Sequence, residues 1–374
     1  MDGYAVRSAD LNANAGYSLQ QIGTSLAGHP FNGSVRHGQC VRIFTGAALP
    51  EGADLVVVQE NVTHEDAGQV SFIPHTSKDT NVRAIGNDIA AGQVLVDTRR
   101  NHQPLLLGHL AAAGVTELPV FTKVRVGIFS SGDELRDPGT PVDQLRYGDI
   151  YDANRITLLQ LLKGLPVDCV DLGCLPDDPE AVSSALSSAA LTCDVLLTSG
   201  GVSVGDADFI VEQIQRQGEL QFWRLNLKPG KPLAFGRIDN CWIFGLPGNP
   251  VSTIITALLL ARPAIAFLAG VNLEKPLTLS AVLATPIQHS PGRTEFQRGQ
   301  FHQDETASRC LIRANGGSNR FSSFRYANLL DRDRQRTGQS ANGVMLLTST
   351  PGQPAALTSI QVAKYRSSLT SIFL

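Results

Sequence analysis

The chain has 374 residues, 43% of them apolar, and a formal net charge of −3. That length exceeds one ordinary hydrophobic core, so roughly two to four domains are expected, and the near-neutral balance gives no global pull towards nucleic acid or anionic membrane. Any anion binding must come from local clusters of Lys and Arg. Cys40, Cys169, Cys174, Cys193, Cys241 and Cys310 form no CxxC pair, and several sit in apolar strand-like runs. This predicts reduced, buried thiols and argues against zinc or disulfide frameworks. Met1 to Asp10 carries acids and no apolar core, so it is not a signal peptide. The apolar stretch Thr253 to Gly270 is broken by Arg262 and Pro263, which predicts a buried helix rather than a membrane span. A cytoplasmic location follows.

In chain order, the first ninety or so residues lack helical periodicity and carry short β-type runs at Gln39 to Phe44, Ala53 to Glu60 and Gln69 to Ile73. They predict a small β-barrel-like domain over residues 1–92. Gln103 to Ala113, ending at Gly114, reads as a helix with a glycine C-cap. From Lys123 the pattern changes to strands alternating with helices. Strands are predicted at Val124 to Phe129, Val167 to Leu172, Asp194 to Thr198, Leu220 to Leu227, Leu233 to Arg237 and Cys241 to Phe244. Helices are predicted at Ala153 to Leu162, Asp178 to Ala190, 209–216, and from the Asn249-Pro250 cap to about Leu260. This alternation over 123–270 indicates a largely parallel α/β domain. Leu277 to Thr285 and Glu295 to Phe301 then read as strands of a C-terminal β domain over 271–374, whose tail from Gln335 is weakly patterned.

Three stretches carry chemistry. Asp194 to Thr198 runs into Ser199, Gly200, Gly201, Ser203 and Gly205, a loop of little side-chain bulk whose backbone N–H groups can approach an anion. Such a loop at the carboxyl end of a parallel strand is where open α/β sheets place ligands. Acids follow the strands too: Asp133 and Glu134, Asp177 and Asp178, Asp206 and Asp208, with Asp149 and Asp152 ahead of a helix. Converging on one rim, they call for a cation, and all-oxygen donors favour Mg²⁺. Asp178 and Asp206, taken singly, read better as helix caps than as ligands. The opposite charge is Lys228-Pro229-Gly230-Lys231-Pro232, a stiff cationic loop. It is followed by Gly245-Leu246-Pro247-Gly248-Asn249-Pro250 at a helix N-terminus, a further anion-favouring element. Metal-holding acids beside anion-holding lysines fit phosphoryl or nucleotidyl chemistry.

These residues resemble a known family. Met1-Asp2-Gly3-Tyr4-Ala5-Val6-Arg7, Arg42-Ile43-Phe44-Thr45-Gly46-Ala47, Ser131-Gly132-Asp133-Glu134-Leu135, Asp149-Ile150-Tyr151-Asp152-Ala153-Asn154, Thr198 to Asp208, Lys228 to Pro232, Gly245 to Pro250 and Pro291-Gly292-Arg293 look like the molybdopterin molybdenumtransferase family. The gephyrin E domain is its animal relative. The resemblance spans about residues 1–325 in order.

It implies a central molybdopterin-binding-like α/β domain, flanked by the β-barrel-like and C-terminal β domains, with 93–122 a remnant of a helical linker and dimerisation domain. It implies a Mg²⁺-dependent enzyme that takes adenylylated molybdopterin and molybdate, cleaves the phosphoanhydride, inserts molybdenum into the dithiolene and releases AMP. A homodimer is implied, with the active site between the α/β domain of one subunit and the β domain of the other. Molybdopterin adenylyltransferase and molybdoenzymes or cofactor chaperones are the implied partners; nucleic acid and membrane are not. Carried over by position, Asp2, Thr45 and Asp88 serve from the β domain, and Glu134, Asp177 and Asp208 are the acids for Mg²⁺ or the pterin. Ser199, Gly200, Gly201 and Ser203 line the pterin and phosphate pocket, with Pro247 and Pro250 beside it. Lys228, Lys231, Arg293 and Ser318 hold molybdate or phosphate oxygens.

Some features depart from the family. This chain begins at the Met-Asp-Gly-Tyr-Ala motif, where the family has a preceding helical segment, so part of the dimer-forming domain is expected to be missing. Arg224 stands in place of a common Lys, and Asn87 in place of an acid before Asp88. The tail after Tyr326 leaves the family's final β pattern, and reduced or conditional activity is the corresponding expectation. A molybdopterin adenylyltransferase-like enzyme and a non-catalytic molybdopterin-binding scaffold are the alternatives. The first is typically a single domain; the second would be favoured by loss of Asp208 or of the lysine loop, and both are present.

Overall fold

The structure, a computed structural model, describes residues 1–11, 15–74, 81–96, 104–202, 209–271, 273, 282–283, 292–303, 308–312, 320–327 and 329–333. They fall into two compact units, Met1–Leu95 and Val96–Leu374.

The first unit is a six-stranded sheet of β1 (Gly3–Val6), β2 (Tyr17–Ser25), β3 (Gln39–Ile43), β4 (Leu55–Val58), β5 (Val62–Asp66) and β6 (Gln69–Phe72). Its order is β4-β1-β3-β2-β6-β5, with β2 and β3 parallel and the other pairs antiparallel. The path is open, a curled half-barrel where the sequence predicts a barrel. Side chains alternate across β3 and β1, so one face packs Tyr4, Val6, Cys40, Val57 and Phe72 and the other Ala5, Val41, Ile43 and Val56.

The second unit begins with helix α1 (Pro104–Ala112) and then β7 (Val124–Ser131), with a small pair β8 (Leu135–Arg136) and β9 (Ile150–Tyr151). Helix α2 (Ala153–Leu162), β10 (Val167–Leu175), α3 (Pro179–Ala190), β11 (Val195–Ser199) and α4 (Phe209–Gln217) follow. All five residues of β11 are buried, as a strand covered on both faces requires. Asp152 and Asp178 cap α2 and α3 by accepting from Arg155 N and Ala181 N, and Pro179 opens α3. Next come β12 (Glu219–Trp223), β13 (Leu227–Lys228), β14 (Ala234–Ile238), β15 (Cys241–Leu246) and α5 (Pro250–Thr256). A π-helical turn over Ala257–Ala261 leads from α5 into α6 (Arg262–Leu268). Pro263 explains that turn, because it has no N–H for the helical ladder. The continuous Pro250–Leu268 stretch is long and apolar enough to cross a membrane, yet Val251, Ile255, Ala261 and Ile265 are buried in the cores.

The sheet runs β10-β7-β11-β15-β14-β12. The first four strands are parallel, β14 is antiparallel to β15 and β12 antiparallel to β14, so the sheet is largely parallel as expected, made mixed by β14, the one strand that runs against the rest. The cause is local. Only Asp239 and Asn240 separate β14 from β15, and Asp239 takes φ 49°, a tight hairpin with no room for a crossover helix. The predicted strand Leu220 to Leu227 is also divided. Arg224 sits at φ 75°, which turns the chain out of the sheet. Leu227–Lys228 instead pairs in parallel with β17 (Thr294–Gln303) of a C-terminal sheet that also holds β16 (Val282–Leu283), β18 (Ser308–Ile312) and β19 (Leu329–Asp333).

Cys40, Cys193 and Cys241 are buried thiols, but Cys169 and Cys174 are exposed, contrary to expectation. Both lie on β10, an edge strand. Partial burial still pushes the Cys174 thiol up to about 11.

Candidate active site

Strand register fixes where the functional loops leave the sheet. Phe129, Thr198, Gly245, Ala234 and Trp223 form one line across β7, β11, β15, β14 and β12. The loops just beyond that line share one rim, at the carboxyl ends of the parallel strands. They are the acidic loop after β7, the Gly-rich loop after β11, the cationic hairpin from Arg224 to Leu233 and the turn from Pro247 to Asn249.

The Gly-rich loop is built by backbone packing. Gly200 donates its N–H to Leu246 O at 3.1 Å and takes φ +100°, and a Cβ there would lie 2.4 Å from Ser131 O. Gly201 accepts from Ile210 N, which places the loop over the start of α4. From α2, Asn154 Nδ2 donates both to Ser199 Oγ and to Gly248 O, each at 2.7 Å. The Asn154 Oδ1, Ser130 Oγ and Thr198 Oγ1 atoms are buried there with no hydrogen-bond partner among the described residues. From the far side, Trp223 Nε1 donates to Val202 O at 3.0 Å. Pro247 is buried, and Pro250 opens α5 behind the Asn249 cap.

The cationic hairpin is closed by Arg224 N to Leu233 O and Leu225 N to Lys231 O. Lys231 is exposed, whereas Lys228 Nζ meets Glu295 Oε2 at 3.2 Å. Asn226 ties the hairpin to the C-terminal sheet, donating from Nδ2 to Gly292 O and accepting Thr294 N. With Leu227 beside Thr294 and Lys228 beside Glu295, Arg293 lies next in sequence to this short ladder. Lys228 and Lys231 share the hairpin, with the Lys228 ammonium paired to Glu295.

Among the acids, Asp177 accepts from Ser131 Oγ at 2.9 Å and its N–H donates to Asp133 Oδ1 at 3.2 Å. Glu134 is exposed on the same loop, its carboxylate folded against Gly132. Asp149 and Asp152 do not join them. Asp149 is paired with Arg136 and Arg146, and Asp152 with Arg155, whose guanidinium also meets Asp171 and Asp137. Burial works against the Arg155 charge, but its carboxylate partners more than offset it and hold the group firmly protonated. Asp178 is a helix cap, as its sequence context suggests. Oxygen donors at Asp133, Glu134 and Asp177 suit Mg²⁺ in kind. No group of three or more His, Cys, Asp and Glu gathers among the described residues, so substrate oxygens or waters would complete a Mg²⁺ shell. Ser203, Asp206, Asp208 and Ser318 lie outside the described residues.

In the first unit, Asp2 Oδ1 accepts both from Thr45 N at 2.9 Å and from Thr45 Oγ1 at 2.8 Å. These bonds, the backbone one foremost, lower the Asp2 pKa. Asp88 is exposed in a turn, and no contact joins it to that pair among the described residues. Sequence reasoning does not pick out Asn154, Trp223, Asn226, Arg155 or Glu295 as site residues. Asn154 stands within a recognised motif; the others carry no signal before the chain is folded.

Comparison with known proteins decides the family. Residues 1–114 match the MoeA N-terminal region (domain I and II), and residues 127–266 match a family described as a probable molybdopterin binding domain. A molybdopterin molybdenumtransferase of Haemophilus influenzae is 39% identical over 92% of this chain and 84% of its own. The chain belongs to the molybdopterin molybdenumtransferase family. Gephyrin of Dictyostelium discoideum is 30% identical over 92% of this chain and 54% of its own length. Among solved structures, a molybdopterin biosynthesis MoeA protein of Pyrococcus horikoshii superposes with a TM-score of 0.76 at 26% identity, covering 94% of this chain and 87% of that one. The half-barrel sheet and the mixed α/β sheet are therefore parts of a MoeA-like fold.

Proposed function

We infer that this chain is a molybdopterin molybdenumtransferase, which transfers molybdenum from molybdate to adenylylated molybdopterin and releases AMP in molybdenum cofactor biosynthesis. One observation carries the reading. The hairpin that carries Lys228 and Lys231 is bonded through Asn226 to Gly292, the residue before Arg293, and its strand end is bonded through Trp223 to Val202 beside Gly200 and Gly201, which supports a reading with two neighbouring anion sites. Molybdate is a dianion and suits the cationic group; the phosphate end of the nucleotide suits backbone N–H groups of the Gly-rich loop.

In this mechanism Ser199, Gly200 and Gly201, with Ser203, Pro247 and Pro250, shape the pterin and phosphate pocket. Lys228, Lys231, Arg293 and Ser318 hold molybdate oxygens and offset the charge of bringing two anions together. Glu134 and Asp177, with Asp208, are assigned to hold Mg²⁺, which when bound would supply Lewis-acid stabilisation of the charge that develops on the phosphoanhydride. Asp2, Thr45 and Asp88 are assigned to substrate on the β domain. The same proposal places a homodimer in the cytoplasm, fed by molybdopterin adenylyltransferase and serving molybdoenzymes or cofactor chaperones.

The test is to incubate the purified chain with adenylylated molybdopterin, Mg²⁺ and molybdate, following AMP release and reconstitution of a molybdoenzyme. Both should occur, and both should fall when Lys231 is changed to Ala. Binding of the nucleotide without AMP release would replace the transferase by a scaffold.

A further inference from the structure

We propose that Trp223 is a positioning residue that locks the Gly-rich loop to the cationic hairpin, so that the two anion-holding segments are set as one body. This rests on the transferase reading above. Trp223 ends β12 opposite Ala234, the last sheet position before the chain turns into the hairpin. Its indole N–H, a donor with no acceptor function, reaches Val202 O at 3.0 Å across a separation of 21 residues. Val202 is 1% exposed and is packed in the core with Phe129 and Ile210, so the acceptor is itself fixed. It also immediately follows Gly200 and Gly201, so the bond fixes the first, described part of the Gly-rich loop, Ser199 to Val202.

The other side of Trp223 controls the hairpin. Arg224, the next residue, occupies the left-handed region at φ 75°, and its guanidinium lies 4.0 Å from the Trp223 ring centroid. Strained backbone of this kind persists where surrounding contacts over-determine it. Here the contacts are the ring below, and the two backbone bonds from Arg224 to Leu233 and from Leu225 to Lys231 that close the hairpin. Burial alone does not account for Trp223, which is only partly buried at the margin of its core. Trp242, the other of the chain's two tryptophans, makes the contrast: it stacks on Phe235 at 5.2 Å, and its indole bonds neither loop among the described residues.

A transferring group tolerates less displacement than a bound one, so loosening the lock should affect the rate of reaction more than substrate binding. The experiment uses the full chain in excess over adenylylated molybdopterin, with Mg²⁺, and reads AMP release in a single turnover across molybdate concentrations. Trp223→Phe should lower the rate constant about tenfold, with the amplitude kept and half-saturating molybdate within about twofold. Trp242→Phe should change neither. An unchanged rate constant, or one that falls only in proportion to a loss of folded chain read by circular dichroism, overturns the proposal. A second measurement needs no turnover. In the Trp242→Phe variant Trp223 is the sole tryptophan, and molybdate should alter its emission saturably, an effect lost on adding Lys231→Ala. If the wild-type chain releases no AMP, the transferase reading fails and this titration decides Trp223 alone; a flat titration overturns its role.

Discussion

The Asn154 side chain donates to the Gly248 carbonyl at 2.7 Å from the same nitrogen that meets Ser199 Oγ. One amide from the first turn of α2 therefore holds two rim loops that leave different strands. Replacing it by Ala removes both bonds and should cost about 1–2 kcal/mol in urea unfolding, a net hydrogen bond being worth about 1 kcal/mol. Asn154→Asp should be worse than Ala for AMP release, because a carboxylate would face the Gly248 carbonyl without a proton to give.

Gly200 meets a harder limit. Its φ of +100° and a Cβ position 2.4 Å from Ser131 O leave an added methyl group only backbone to push against. Gly200→Ala should destabilise the chain by about 2–3 kcal/mol and sharply reduce AMP release. A thermal midpoint equal to wild type would show that the loop can shift freely, and with it that its geometry is not set by this contact.

Arg155 joins three carboxylates, and it is 6% exposed while Asp152 is 1% exposed. Arg155→Met should cost about 3 kcal/mol, the low end for breaking a buried pair, since Asp137 and Asp171 retain water. The pH dependence gives the sign. Burial alone would raise the Asp171 pKa, but Arg155 and the Gly173 N–H more than reverse this and lower it. Its contribution is present above the ordinary carboxylate pKa of about 4 and is lost as pH falls through the lowered value. The Met variant should therefore lose less stability than wild type on acidification, as read by urea midpoints at neutral and acid pH.

Asp2 offers a smaller, site-resolved check. Its pKa is lowered first by the Thr45 N–H and then by the Thr45 hydroxyl. Thr45→Ala keeps the first and deletes the second, so the Asp2 carboxylate, followed by NMR, should titrate higher than in wild type while staying below the usual carboxylate range. No change at all would assign the whole shift to the backbone bond.

Much of the α/β unit can be read from sequence because its signals are local. The run Val195 to Leu197 is apolar and ends in the small residues Thr198 and Ser199, the caps Asp152, Asp178 and Asn249 stand directly before their helices, and Pro179 and Pro250 mark first turns. What sequence misses depends on long-range pairing. The left-handed Arg224 divides a run that reads as one strand from Leu220 to Leu227, and no neighbour in sequence announces it. The reversal of β14 follows from a two-residue turn at Asp239 and Asn240, whose weight against the surrounding parallel pattern emerges only in the folded sheet. The same holds for the acids: Asp149 and Asp133 look alike in sequence, and only the arrival of Arg136 and Arg146 withdraws Asp149 from the rim.

The strand Leu227–Lys228 consists of two rungs against Thr294 and Glu295. Side chains alternate along a strand, so a slip of a single residue in this short ladder would exchange Leu227 and Lys228 between faces. The buried Leu227 would then take the place of the charge, and Lys228 would enter the cluster of Val251, Ile255 and Phe296. The alignment of the C-terminal sheet thus decides which way the lysine points, and an insertion or deletion close to Gly292 would be read out at the cationic hairpin before it altered anything else on the rim.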